Sequence, residues 1–207
     1  MTVDPVLYSY FRSSCSWRVR IALNLKGVEY ETKTKTSDYT TVNPLQQVPS
    51  IEVNGQTLTQ SVAIIEFLEE TYPSPALLPK DVFKRAKVRE ICEVIGSGIQ
   101  PLQSNSGVLK KIGDEKKTEW AQFWIEKGFV ALEKMLQKTA GKYSVGDEIT
   151  MADLFLVPQV DNAKRFSVPM ETFPTIARIN EECSKLDAFK AASPFVQPDC
   201  PEDLRAK

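Results

Sequence analysis

The chain has 207 residues, 42% of them apolar and 26% charged, with 26 basic and 27 acidic groups and a formal charge of −1. That length allows one large domain or two small ones with a core that needs no metal or disulfide staple, and the balance lacks the basic excess that a nucleic-acid backbone demands. There is no histidine, which removes Ser-His and Cys-His nucleophile pairs, imidazole metal ligands and imidazole proton shuttles, and with them most hydrolase mechanisms.

In chain order, Pro5–Phe11 is β-branched and aromatic and predicts a strand. Arg12-Ser13-Ser14-Cys15-Ser16 is a polar break rich in helix-capping residues, and from Trp17 the pattern is helical, with Val19, Ala22 and Leu23 on one face and a stop at Lys26-Gly27. Residues 28–36 alternate with period two and predict an edge strand. Ile51-Glu52-Val53 and Gln56-Thr57-Leu58 flank Asn54-Gly55, the strongest two-residue hairpin signal. Ser61–Tyr72 returns to a helical period, with Val62, Ile65 and Leu68 on one stripe. The first 80 residues therefore predict an α/β unit with a small mixed sheet.

Pro73, Pro75 and Pro79 punctuate a linker, and the remainder, 84–207, is helical in pattern. Helices are expected over 84–95, 115–137, 150–159 and 174–189, with Gly96, Gly98 and Pro101 disturbing the end of the first, and Ser193–Lys207 is expected to lie over the surface. Thr150-Met151-Ala152-Asp153 reads as a capping box with a structural role. The four cysteines, Cys15, Cys92, Cys183 and Cys200, are far apart and form no CxxC pair, which disfavours a zinc site or a thioredoxin-type dithiol. No metal site is expected. With no secretory leader and no apolar run of membrane-spanning length, these thiols point to a reducing compartment, the cytoplasm, with the mitochondrion left open.

Three features could carry chemistry. Ser13, Ser14, Cys15 and Ser16 sit where a strand gives way to a helix, a place whose unpaired N–H groups and dipole favour an anion, including a thiolate. Serines are also common caps, and the motif alone favours that plainer role. Gln46-Gln47-Val48-Pro49 precedes the hairpin, where the proline marks an edge or turn, cis or trans, and leaves the valine backbone able to pair with an extended peptide. Gln60-Ser61 opens a helix, a second anion position suited to a carboxylate.

The run Tyr8-Ser9-Tyr10-Phe11-Arg12-Ser13-Ser14-Cys15-Ser16-Trp17-Arg18-Val19-Arg20-Ile21-Ala22-Leu23 resembles the signature of zeta-class glutathione transferases, the maleylacetoacetate isomerases. So do Asn43-Pro44, Gln47-Val48-Pro49, Gln60-Ser61, Gly98-Ile99-Gln100-Pro101-Leu102-Gln103, Thr139-Ala140-Gly141-Lys142-Tyr143, Val157-Pro158-Gln159-Val160, Asn162–Phe166 and Gln197-Pro198-Asp199. The similarity runs over essentially the whole chain. It implies the glutathione transferase fold: a thioredoxin-like α/β domain over 1–80 with a mixed sheet, an all-helical (all-α) domain over 84–207, and a homodimer.

The resemblance also implies roles. Ser13, Ser14 and Cys15 would surround the sulfur of glutathione as the catalytic group, with Ser16, Trp17 and Arg18 completing the cofactor-binding run. Val48 would pair with the cysteinyl backbone, Gln60 and Ser61 would hold the γ-glutamyl carboxylate, and Gln100, Asn105 and Ser106 would approach from the helical domain. Arg165 would face the carboxylates of an anionic small-molecule substrate. The implied reaction is addition of the glutathione thiolate to the cis double bond of maleylacetoacetate, rotation, and elimination to fumarylacetoacetate, a step of phenylalanine and tyrosine catabolism, with α-haloacids as side substrates. General conjugation of electrophiles and a non-catalytic association module are the competing readings. Three departures stand out: only 12 residues separate Tyr30 from Asn43, Ser104-Asn105-Ser106-Gly107 is longer than the pattern by a residue, and Thr59 stands where some relatives have histidine.

Overall fold

The computed structural model describes residues 4–104 and 107–205. Strand β1 (Val6–Tyr8) lies between β2 (Glu31–Lys33), to which it runs parallel, and β3 (Ser50–Val53), to which it runs antiparallel; β4 (Gln56–Thr59) closes the order β2-β1-β3-β4. The Asn54-Gly55 hairpin forms as its turn signal predicts, with both residues at positive φ. β2 takes the edge, as the period-two pattern predicts. β1 and β2 are both shorter than the pattern suggested: Tyr10 and Phe11 leave β1 because side chains, not a neighbouring strand, take their backbone groups.

Helix α1 (Ser14–Leu25) begins three residues before the expected Trp17. Ser13 is its N-cap, accepting the Ser16 N–H on Oγ at 3.2 Å, so Ser14, Cys15 and Ser16 belong to the first turn. Its C-terminus falls at Lys26, followed by Gly27 at positive φ. Helix α2 (Ser61–Thr71) buries Ser61, Ile64, Ile65 and Leu68, leaving Val62 exposed, so the inward stripe differs from the expected Val62-Ile65-Leu68 and begins at a serine. The Lys26 ammonium ties the two helix ends, donating to Glu69 at 2.8 Å and to the carbonyls of Tyr72 and Pro75.

The remaining helices are α3 (Val82–Glu93), α4 (Val108–Ile112), α5 (Lys117–Thr139), α6 (Met151–Arg165), α7 (Pro174–Ser184) and α8 (Asp187–Ala192). The helical run after α3 widens into a π-type turn over Val94–Ile99 and then tightens into a 3-10 turn over Gln100–Gln103, at the glycines and proline flagged above. Gly128 on α5 makes room there, since a Cβ would meet Ile99 Cγ1 at 2.3 Å. Ile125, Phe129, Leu132 and Leu136 of α5 are buried in the expected register, and Phe129 meets Phe173 edge to face at 5.5 Å. Helix α6 carries Pro158 inside it and runs on to Arg165, beyond its expected end at Gln159. The predicted helix 174–189 is two helices, broken at Lys185-Leu186 where the backbone turns extended.

That break is also a boundary between two compact units: one runs to Ala76 and includes the stretch from Leu186 onward, the other is Leu77–Lys185. The division therefore differs from 1–80 and 84–207, because α8 packs on α1 and the last residues bind the first unit, through Ala192 to Arg20 and Asp199 to Phe11. The terminal stretch is correspondingly more than a surface strap: Gln197 and Cys200 are buried. Among the described residues no helix is long and apolar enough to cross a membrane.

Candidate functional site

Antiparallel pairing places Tyr8, Ser50 and Thr59 side by side on one rung of the sheet. The connection leaving β1 at Ser9, the one entering β3 through Pro49 and the one leaving β4 at Gln60 therefore emerge at the same end. Ser13, Ser14 and Cys15 lie half-buried at the start of α1, Val48 is half-buried ahead of a cis peptide to Pro49, and Ser61 opens α2. Three segments far apart in sequence thus converge within the first unit.

Helix geometry leaves the first-turn amides of α1 and α2 without intrahelical acceptors, and neither helix has an acidic residue in its first turn to fill that position. Both serines at these ends are polarised the same way. Ser13 Oγ accepts the Ser16 N–H, and Ser61 Oγ accepts from Nη1 of Arg18 at 3.2 Å. A hydroxyl whose lone pair is engaged still has its hydrogen to give, so both are set as donors toward an anion. Arg18 is only 2% exposed, and its guanidinium stands directly behind the α2 end. Gln60 is held at φ +70°, a backbone state uncommon for a residue with a Cβ, and it turns the chain from β4 into α2.

The segment of 12 residues before Asn43 folds down with a 3-10 turn over Tyr39–Thr41. Tyr39 is buried, and its hydroxyl meets Ser50 Oγ at 2.7 Å and donates to the Gln47 carbonyl at 2.9 Å; Asn43 Nδ2 donates to the same carbonyl at 2.7 Å. These two side chains fix the peptide that enters Val48. Sequence reasoning did not single them out for that role; Asn-Pro before a Val-Pro turn is the signal that could have done so.

Other expected residues sit differently. Ser16 and Trp17 turn their side chains into the core, and their amides are spent on Ser13 Oγ and the Ser13 carbonyl, so neither adds a donor at this end of the sheet. Arg18 acts there through Ser61. In the second unit, Gln100 opens the 3-10 turn half-buried, while Arg165 is exposed at the C-terminus of α6 with its guanidinium over the Phe166 ring at 4.7 Å. Asn105 and Ser106 lie outside the described residues. No group of three His, Cys, Asp or Glu side chains among the described residues has the spacing to hold a metal ion.

The comparisons agree with this geometry. The model of the glutathione S-transferase N-terminal domain matches residues 12–71, and that of the C-terminal domain matches residues 106–192. The chain is 56% identical over 215 residues to probable maleylacetoacetate isomerase 2 of Drosophila melanogaster, covering 99% of this chain and 94% of that protein. To maleylacetoacetate isomerase of Mus musculus it is 55% identical over 211 residues, 97% of each. The crystal structure of maleylacetoacetate isomerase from Anaeromyxobacter dehalogenans with bound glutathione superimposes with a TM-score of 0.88 at 44% identity, covering 96% of this chain and 98% of that one. With its two-unit architecture and this similarity along almost its entire length, the chain belongs to the glutathione S-transferases, in the zeta-class family of maleylacetoacetate isomerases.

Proposed function

We propose that this chain catalyses the glutathione-dependent cis–trans isomerisation of maleylacetoacetate to fumarylacetoacetate. The observation that carries the reading is the end of the first-unit sheet, where two serine hydroxyls are held as donors at two helix N-termini that carry no internal carboxylate. Relatives at 54–56% identity bear the name of this isomerase, which supports the choice of reaction.

The residues present fit a tripeptide with a carboxylate at one end and a thiol in its middle. Ser61, backed by Arg18 and joined by the first amides of α2, would hold the γ-glutamyl carboxylate, with Gln60 beside it. The backbone of Val48, fixed by Tyr39 and Asn43 through Gln47, would pair with the cysteinyl residue. When bound, glutathione supplies a thiolate able to add reversibly to an activated double bond. Ser13 donates its hydroxyl hydrogen to the sulfur, and the Ser14 and Cys15 amides add the positive end of α1. Lowering a thiol from ~8.5 by about two pKa units needs roughly 2.7 kcal/mol, within reach of one charge-assisted hydrogen bond and a helix terminus. Cys15 lines the site as a supporting residue and leaves the nucleophile's role to glutathione. Gln100, Asn105 and Ser106 are assigned to glutathione, and Arg165 to the substrate carboxylates, for which its planar fork is suited.

On the same reading α-haloacids, which join a carboxylate to a carbon open to thiolate attack, are side substrates. The working form is a homodimer, as the family resemblance implies, and four free cysteines favour a reducing compartment, the cytoplasm. The test is fumarylacetoacetate formation by purified protein with and without glutathione. Turnover that requires glutathione is expected, and turnover that does not would overturn the assignment.

A further inference from the structure

The loop that delivers Ser13 is held by groups outside itself. After Tyr8 the chain leaves the sheet, and both backbone groups of Phe11 are taken by charged side chains. Its carbonyl accepts Nη2 of Arg20 at 3.0 Å, and its N–H donates to Oδ2 of Asp199 at 2.8 Å. Arg20, on α1 and fully buried, also donates to Ser9 Oγ at 3.0 Å, to the Tyr10 carbonyl at 3.5 Å and, through Nε, to the Ala192 carbonyl at 3.0 Å. The Tyr10 carbonyl in turn accepts the Ser13 N–H at 2.9 Å. One guanidinium therefore grips the two peptides before Arg12 and the terminal stretch together.

That stretch is itself locked. Gln197 Nε2 donates to the carbonyls of Ala191 and Ser193 at 2.9 and 2.8 Å, and Arg205 donates to those of Cys200 and Pro198 at 3.1 and 3.0 Å. Asp199 is thus presented from a closed turn rather than from a free end. Burial lowers the Arg20 pKa to about 10, opposed by the nearby Tyr30 and Asp199, and the group stays cationic at neutral pH. A buried charge is expensive, and well-packed apolar residues commonly serve stability as well. What this pair adds is a fixed position for two specific peptides.

We propose that Arg20 and Asp199 are positioning residues, and that residues 186–205 form a brace holding Phe11–Ser13 so that the Ser13 hydroxyl is aimed at the sulfur. This rests on the reading of Ser13 as the thiolate donor. Asp199 holds Phe11, Phe11 is two residues from Ser13, and a hydrogen bond to sulfur weakens steeply with small displacements.

Asp199→Ala, Asp199→Asn and Asp199→Glu separate the possibilities. Asparagine keeps an acceptor for the Phe11 N–H, alanine removes it and glutamate displaces it. In glutathione-free protein, Asp199→Ala is expected to raise amide hydrogen exchange over Phe11–Ser14 about tenfold, with Asp199→Asn near wild type. With glutathione, Asp199→Ala should raise the apparent pKa in the kcat/KM profile by roughly one, lowering turnover at neutral pH about threefold, while the KM for glutathione stays near wild type. Asparagine should restore most of both. A folded alanine variant with wild-type exchange and an unshifted pH profile would overturn the brace, and so would asparagine and alanine variants that behave alike. If the alanine variant does not fold, Asp199→Glu is read by the same two measurements and the same criteria. A wild-type protein without glutathione-dependent turnover would instead sink the functional reading, and the exchange measurement would still decide the brace.

Discussion

Two helix N-termini in this molecule are built from similar residues and put to different uses. At the start of α6, Thr150 is followed by Asp153, whose buried carboxylate accepts the N–H groups of Thr150 and Ser144, each at 2.8 Å, and the Thr150 hydroxyl at 3.1 Å. Burial raises the Asp153 pKa, and the hydrogen bonds from Ser144 and Thr150 oppose the rise. The α7 start is filled likewise, Glu133 accepting the amides of Thr175 and Ile176 at 2.9 and 3.0 Å. At the start of α1 the cap is again a hydroxyl, but no acid follows it and Ser14 and Cys15 remain half-buried. A helix end filled by the protein's own carboxylate is a joint of the fold. One left unfilled, with a hydroxyl set to donate, is a place for an anion from outside.

Replacing the internal carboxylate is the severest way to test that contrast. Asp153→Ala strands three buried donors and should cost roughly 3 kcal/mol or more of stability in denaturant unfolding. A loss within measurement error would show that the α6 end is not a joint. Ser13→Ala should invert the pattern: stability falls by about 1 kcal/mol, while turnover falls on the order of 100-fold and the apparent pKa of bound glutathione rises. Equal damage to stability and turnover would assign Ser13 to capping alone, and Ser14 would become the next residue to test.

Smaller effects sharpen the same distinction. Arg165→Ala should weaken binding of dicarboxylate substrates about tenfold more than that of neutral electrophiles, because only the former lose a charge-assisted contact; equal losses would place the arginine in packing against Phe166. The least effect is expected for Cys15→Ala, with turnover within a few-fold of wild type and still dependent on glutathione. Alkylation followed by peptide mapping should label Cys15 first among the four thiols. Cys92, Cys183 and Cys200 are buried, and burial with the adjacent Asp153 pushes the Cys183 thiol far above its ordinary range, so it stays neutral and unreactive at working pH. Loss of all turnover in Cys15→Ala would make that thiol the nucleophile.

The sequence by itself determined the local features, because they depend on neighbours a few residues away. The Asn54-Gly55 turn, the α5 stripe, the Thr150–Asp153 box and the serine-rich start of α1 were all legible, and the family resemblance supplied their order and meaning. The ends of elements were not, since Tyr10 and Phe11 leave their strand for side chains contributed by Arg20 and Asp199, 9 and 188 positions from Phe11. Only the tertiary structure decided that Ser61 rather than Val62 faces inward, that Arg18 reaches the site through Ser61, and that Tyr39 and Asn43 hold the peptide before Val48. It also decided that the last residues belong with the first unit. A hydrogen bond between distant residues leaves no periodic trace in a sequence; it exists once the sheet order has brought Tyr8, Ser50 and Thr59 onto one rung and fixed what can reach what.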